Sequence, residues 1–345
     1  MPQPLPLQDF LHADGIILDV RSPGEFEQAH IPGAMNLPLF SNEERARVGT
    51  CYKRQGRDAA VELGFEIAGP KFVSFVRRAK QLVGDRPIRL HCWRGGLRSE
   101  TMAWVLRTAG LSVEVLEGGY KAFRRWCLST FAETRPIAIL GGMTGTGKTY
   151  TLHALAARGE QILDLEGLAN HRGSSYGALG LPPQPSTEQY ENAIAMQWAA
   201  LDPHKLVWIE AESRTVGCCR VPQAVFAQME RAVVFRIQRT RQERIDSIVD
   251  VYGSEDRRGL IEATQRIRKR LGGERTQAAI ALLEQGKLAE AFDIVLHYYD
   301  KTYTYDLERR SSDSYTIDVS GLLYEEAAGI LIEKARFFLS ESGLG

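Results

Sequence analysis

Two short segments of this 345-residue chain hold residue types that do chemistry. The first is His91-Cys92-Trp93-Arg94-Gly95-Gly96-Leu97-Arg98-Ser99, set between an apolar run and a helical pattern. A thiol in that place sees backbone N–H groups, a helix N-terminus and two arginines, all of which favour the thiolate. Cys92 is read as an acidic nucleophile, with Arg94 and Arg98 as holders of an anion. A free cysteine is more often a small buried hydrophobe, the reading given to Cys51, Cys127, Cys218 and Cys219. His91 suits proton transfer, and suits a structural place at a strand end equally well.

The second segment is Gly142-Met143-Thr144-Gly145-Thr146-Gly147-Lys148-Thr149: glycine, four residues, then Gly-Lys-Thr. Glycines let the backbone curl so that successive N–H groups face an anion. On this reading Gly142, Thr144, Gly145, Thr146 and Gly147 cradle phosphate, Lys148 brings a mobile charge and Thr149 holds Mg²⁺. A glycine-rich turn without a ligand is the plainer alternative, and the strand before and helix after argue against it. A P-loop calls for an acid at another strand end. Glu210 is the first candidate, with Glu212 close behind, and Asp164 or Glu166 is the alternative; each is equally a solvated strand-end carboxylate. Residues 231–275 hold twelve Arg/Lys against seven Asp/Glu. There Arg257, Arg258, Arg266, Arg268, Lys269 and Arg270 suit a phosphate lid or an RNA backbone track, against the plain reading of a solvated helix face.

The elements that must position these groups alternate strand and helix, the pattern of an α/β protein with parallel sheets. Strands are expected at 15–20, 88–91, 113–116, 136–140, 161–165, 205–210, 233–237 and 315–319. Helices are expected at 97–109, from Lys148, and at 322–339, with a closing helix and short connection over 123–134. The boundary falls near 129–135, giving domains 1–130 and 131–345. Apolar residues at 44% and charged residues at 25% are ordinary for globular domains. Lys+Arg and Asp+Glu balance at 43 each, so RNA binding must come from a local patch. Five cysteines without paired spacing argue against a disulfide framework or structural zinc. No leader pattern or spanning run is evident, so the cytoplasm and no membrane partner are expected. Trp198, Trp208, Phe226 and Phe235 could line an apolar pocket, with core packing the better role for most.

Asp19-Val20-Arg21, His30-Ile31-Pro32-Gly33-Ala34-Met35-Asn36-Leu37-Pro38, the Cys92 loop and Leu116-Glu117-Gly118-Gly119-Tyr120 stand in the order found in rhodanese domains. The resemblance spans about 8–127 and implies a rhodanese-type parallel sheet domain. A P-loop NTPase-like α/β domain with a helical, basic lid region follows. With the P-loop, Ala169-Asn170-His171-Arg172-Gly173-Ser174 and Glu212-Ser213-Arg214, nearly the whole chain, weakening after about residue 320, resembles the tRNA 2-selenouridine synthase family. That resemblance implies exchange of sulfur for selenium in wobble 2-thiouridine of the tRNA anticodon. It also implies selenophosphate and geranyl diphosphate as co-substrates, an S-geranyl intermediate, and an enzyme that supplies selenophosphate as a partner.

The loop from Cys92 to Arg98 spans seven residues, where sulfurtransferase rhodaneses have six. This spacing suits a larger anion, and is also that of cysteine phosphatases. The alternative is therefore a rhodanese-fold cysteine phosphatase fused to a nucleotide-binding kinase-like domain. A third reading is a nucleotide-switched RNA-binding module with a rhodanese scaffold.

Overall fold

The computed structural model describes residues 3–308 and 313–341. The chain divides into two compact units, Met1–Thr130 and Phe131–Gly345.

In the first unit, β1 (Ile16–Asp19), β2 (Met35–Asn36), β3 (Ile88–His91) and β4 (Val113–Val115) form a parallel sheet in the order β2-β1-β3-β4. Leu18, Leu90, Val113 and Val115 pack with Phe75, Met102 and Leu106 of the flanking helices. β1 is apolar on both faces along Ile16, Ile17 and Leu18, whereas β3 and β4 set Arg89 and Glu114 between buried apolar residues. The helix Leu97–Thr108 follows the cysteine loop. The closing helix is Gly119–Thr130, four residues earlier than expected, because Gly118 and Gly119 turn the chain at φ 69° and 59°. Periodicity did not reveal the helices Asn42–Gln55, Arg57–Ala68 and Phe72–Val83. Cys127 and Cys219 are buried as expected, but Cys51 is half-buried and Cys218 exposed.

In the second unit, β5 (Ile137–Gly141), β6 (Gln161–Leu163), β7 (Val207–Glu210), β10 (Val233–Gln238) and β11 (Ser314–Asp318) form a parallel sheet. Its order is β11-β10-β5-β7-β6, and the short pair β8 (Thr215–Val216) and β9 (Cys219–Arg220) stands apart. The P-loop strand β5 is thus central, between β10 and β7. Trp208 and Phe235 are core residues here, and Trp198 is fully buried while Phe226 is partly covered. A separate helical core joins Tyr176, Ile248, Tyr252, Leu260, Phe292 and Leu296.

The first unit depends on a buried ion pair. Arg21 Nε donates to Asp19 Oδ1 at 3.1 Å and to Oδ2 at 2.9 Å, Nη2 donates to Oδ2 at 2.6 Å, and both side chains are essentially inaccessible. The same Nη2 donates to the Ala29 carbonyl, and the guanidinium lies 3.9 Å from the Tyr120 ring centroid. Removing one partner strands the other charge. Asp19→Ala should cost about 3–5 kcal/mol, read as an earlier first transition in urea unfolding of the full chain.

Candidate functional site

The P-loop runs from β5 into the helix Lys148–Ala157. Gly145 and Gly147 take φ of 85° and 76°, a region side chains resist. Space is short as well: a Cβ on Gly145 would meet the Arg244 carbonyl oxygen at 2.5 Å, and one on Gly147 the Tyr324 ring at 2.4 Å. Lys148 Nζ donates to the Gly142 carbonyl at 3.1 Å. Gly142, Thr144, Gly145, Gly147, Lys148 and Thr149 all line a cavity of about 270 Å³. Thr146 is buried instead, its hydroxyl turned back to the Met143 carbonyl at 2.8 Å, so only its backbone belongs to the loop.

Three strand ends meet at this cavity. Glu210 ends β7, paired beside Leu140 of β5. Glu212 lies two residues on, and Glu166 comes from the short helix Leu165–Leu168 after β6. Ligand oxygens of Glu166, Glu210 and Glu212 lie within 4.8 Å of one another. Thr149 Oγ1 donates to Glu166 Oε2 at 3.3 Å. Asp164 stands beside the cluster: it caps that helix by accepting from the Gly167 N–H at 2.7 Å, and accepts from His153 at 2.9 Å. Its oxygens are committed to those partners, while the carboxylate group is completed by Glu166.

Burial and the Glu212 charge push the Glu166 carboxyl up to about 9, with Lys148 working the other way. Burial and Glu166 push Glu210 up to about 8, again tempered by Lys148. Burial raises Glu212 too, against a hydrogen bond from Glu166. Glu210 is 1% exposed and neither of its oxygens has a hydrogen-bond partner of ordinary geometry; the Thr149 hydroxyl is near enough only to soften the shift. Two orphaned acceptors in a buried carboxylate cluster fit a divalent cation, with Thr149, Glu166, Glu210 and Glu212 as its holders.

Residues 172–174 close the near wall. Gly173 has φ 60°, and a Cβ there would meet Glu166 Oε1 at 2.4 Å and Glu212 Oε1 at 2.8 Å. Arg172 and Ser174 line the cavity, and the Arg172 guanidinium stands 5.6 Å from the Tyr252 ring centroid. Away from the P-loop the lining turns apolar, with Ile248, Val251, Phe292, Val295 and Leu296, and with tyrosines 176, 252 and 299. Motif spacing does not reveal this wall; its one signal in the sequence is the family-like segment 169–174.

The basic run stands away from the P-loop cavity. Arg257, Arg258, Arg266, Arg268, Lys269 and Arg270 are exposed, and none lines the cavity. Their helices bury Leu260, Ala263, Ile267 and Leu271, which turns the charges outward. Arg257 donates to the Glu284 carbonyl, Arg258 to Glu262, Arg266 to the Ser175 carbonyl and Arg270 to the Tyr298 hydroxyl.

In the first unit, Cys92 follows β3 and is 3% exposed, with Sγ 3.2 Å from the Ser99 hydroxyl. The loop is held from the closing helix, where Tyr120 and Lys121 N–H groups donate to the Cys92 and Trp93 carbonyls at 2.8 and 2.9 Å. A Cβ on Gly119 would lie 2.5 Å from the Cys92 carbonyl oxygen. Arg94 is exposed on the loop. Arg98 is not an unengaged anion holder: it donates to Glu25 Oε2 at 2.8 Å, and burial of Glu25 is outweighed so that its carboxyl titrates low. His91 is fully buried, its ring packed near Phe10 and Tyr120, and burial lowers its basicity, which favours the structural role.

The carboxylate cluster sets a pH dependence. A glutamate raised above its ordinary 4.5 holds a proton in the folded state that the unfolded chain has lost. Its stabilising effect is complete below about 4.5 and disappears as pH rises through about 8–9. Thermal unfolding of metal-free protein should show stability falling from pH 6 to 9, by up to about 1.4 kcal/mol per pH unit for each proton held. Glu210→Gln should flatten that slope, and Mg²⁺ should raise the wild-type midpoint more than the variant's. An equal Mg²⁺ response in both would count against the cluster as a cation site.

Residues 135–321 match the family described as the tRNA 2-selenouridine synthase AAA domain, and residues 4–125 match the rhodanese-like domain. Among similar proteins is the tRNA 2-selenouridine synthase of Marinobacter nauticus, 36% identical, with 86% of this chain and 89% of that protein covered. Those of Psychromonas ingrahamii and Pseudomonas syringae pv. tomato are each 35% identical. Coverage of this chain is 86% and 92%, and of those proteins 88% and 94%. With the P-loop, the cysteine loop and both domain matches in one chain, this protein belongs to the tRNA 2-selenouridine synthase family.

Proposed function

We propose that this chain replaces sulfur by selenium in wobble 2-thiouridine of tRNA. Selenophosphate is the selenium donor, and the route passes through S-geranyl-2-thiouridine made from geranyl diphosphate. The observation that carries this reading is the two-sided cavity of the second unit. One end is a P-loop with Lys148 and Thr149, and the other is walled by Ile248, Phe292, Val295 and Leu296. A phosphate cradle continuing into an aliphatic and aromatic wall suits a diphosphate with a hydrocarbon tail better than a polar nucleoside.

In the first step the thiocarbonyl sulfur attacks the allylic carbon of geranyl diphosphate. The carbon–oxygen bond breaks, pyrophosphate leaves and N3 of the base gives up its proton. Lys148 and the P-loop N–H groups stabilise charge growing on the leaving oxygen. A Mg²⁺ ion held by Thr149 and the Glu166, Glu210 and Glu212 carboxylates would supply further neutralisation of the diphosphate. In the second step selenium adds to the same ring carbon and geranylthiol leaves, with water taking the phosphoryl group of selenophosphate. Cys92 handles selenium in this reading, with Arg94 nearest in sequence to receive the anion. Selenophosphate would come from a separate supplying enzyme, and the reaction would run in the cytoplasm.

Nucleoside mass spectrometry of 2-thiouridine tRNA, incubated with the protein, geranyl diphosphate and selenophosphate, tests the proposal. Geranylated and then selenium-containing uridine is the expected result; unchanged 2-thiouridine would return the cysteine loop to the phosphatase alternative. Cys92→Ser should abolish selenation and spare geranylation. Lys148→Ala should lower geranylation on the order of 10²-fold, the scale of losing one charge-stabilising donor. Val295→Phe should shift preference from geranyl toward dimethylallyl diphosphate, measured as the ratio of kcat/KM values. An unchanged ratio would place the prenyl chain elsewhere.

A further inference from the structure

The helices Asn42–Gln55 and Arg57–Ala68 do little for the core of the first unit. The first buries no residue fully, and the second only Ala60 and Ala68. Each still carries a regular stripe facing one space: Arg45, Val48, Gly49, Tyr52 and Lys53 on the first, and Arg57, Ala60, Val61, Gly64 and Phe65 on the second. These spacings of three and four put each set on one helix face. The two stripes wall a cavity of about 650 Å³, which continues to Arg94, Leu97, Arg98 and Thr101 beside Cys92. All five charged lining residues are basic, while Tyr52 and Phe65 are 59% and 52% exposed.

We propose that this groove docks single-stranded RNA, namely the unstacked anticodon bases next to the base being modified. Tyr52 and Phe65 are the stacking platforms, and Lys53 and Arg57 meet backbone phosphates. The proposal rests on the reading of tRNA as substrate. Exposed aromatic faces interleaved with basic side chains, free of acidic lining groups, match a strand that alternates flat bases with phosphates. A helix face meant for the protein's own core would bury such rings. The groove also ends where it must, because a ring carbon inside a base stack is out of reach of a cysteine until the base is turned out. Arg45 and Arg98 already face Glu25, at 3.7 and 2.8 Å, and so brace the groove wall. Arg57 has only a loose, highly exposed contact with Asp58 at 3.8 Å, leaving its charge for the ligand.

Equilibrium binding of an unmodified anticodon stem-loop RNA to the full chain, over a range of salt, tests this without any catalytic step. Tyr52→Ala and Phe65→Ala should each weaken binding about tenfold, while Tyr52→Phe and Phe65→Tyr keep it, which separates lost stacking from lost folding. Lys53→Ala and Arg57→Ala should each reduce the slope of log affinity against log salt by about 0.7. Unchanged affinity in all four alanine variants, or no RNA binding by the wild-type chain, overturns the proposal. So does normal RNA affinity with selenation alone lost, which would make the groove a seat for a selenium-delivering protein. Groove-dependent RNA binding by a chain that leaves 2-thiouridine unchanged would instead support the docking surface and fault the proposed reaction.

Discussion

Both candidate sites exist because a parallel strand must turn into a helix, and the turn leaves backbone N–H groups that no strand or helix satisfies. β3 turns into the helix Leu97–Thr108 through Cys92, and β5 turns into Lys148–Ala157 through the P-loop. Each turn is tight enough to require glycine, and each is held by a neighbour. The Gly118–Gly119 turn presses on the cysteine loop, and the Arg244 carbonyl backs Gly145. In the P-loop unit Arg244 Nε also donates to the Thr144 carbonyl at 2.8 Å. The loops are thus shaped by backbone packing.

The two units treat buried carboxylates in opposite ways. Asp19 is surrounded by donors from Arg21, so its charge is stabilised and its role is architectural. Burial works against that charge, yet His91 and Arg21 outweigh it and hold the carboxyl below its usual range. Glu166, Glu210 and Glu212 share one cation, Lys148, whose Nζ also serves the Gly142 carbonyl. Three acids crowd one lysine, so in the folded chain without a ligand they hold protons rather than full charges. A ligand or ion that completes the cluster gives the arrangement a purpose, and the orphaned oxygens of Glu210 mark where.

The helix pair of the first unit shows why some features stayed hidden. Its stripes mix Arg45, Lys53 and Arg57 with Val48, Tyr52 and Phe65, so no clean apolar period stands out from the polar background. The basic run after residue 256 misleads for the converse reason. Charge density in sequence says nothing of direction, and the helices that carry it bury Leu260, Ala263 and Ile267 behind it. Asp164 misleads because it too follows an apolar strand, yet a carboxylate immediately before a short helix is claimed as its cap.

By itself the sequence determined what depends on neighbours along the chain. This includes the P-loop, the cysteine loop and the strands that lead into them, since glycine turns and helix starts are local devices. It also named Glu210, because an acid closing an apolar strand is a local pattern. Tertiary structure decided which acids meet. Residues 166, 210 and 212 come together only because β6, β7 and β5 lie side by side in an order the chain does not follow. It likewise decided that Arg98 is engaged by Glu25, seventy-three positions away, and that tyrosines 176, 252 and 299 wall one cavity. Contacts between distant segments follow from strand order and helix packing, and no local spacing encodes them.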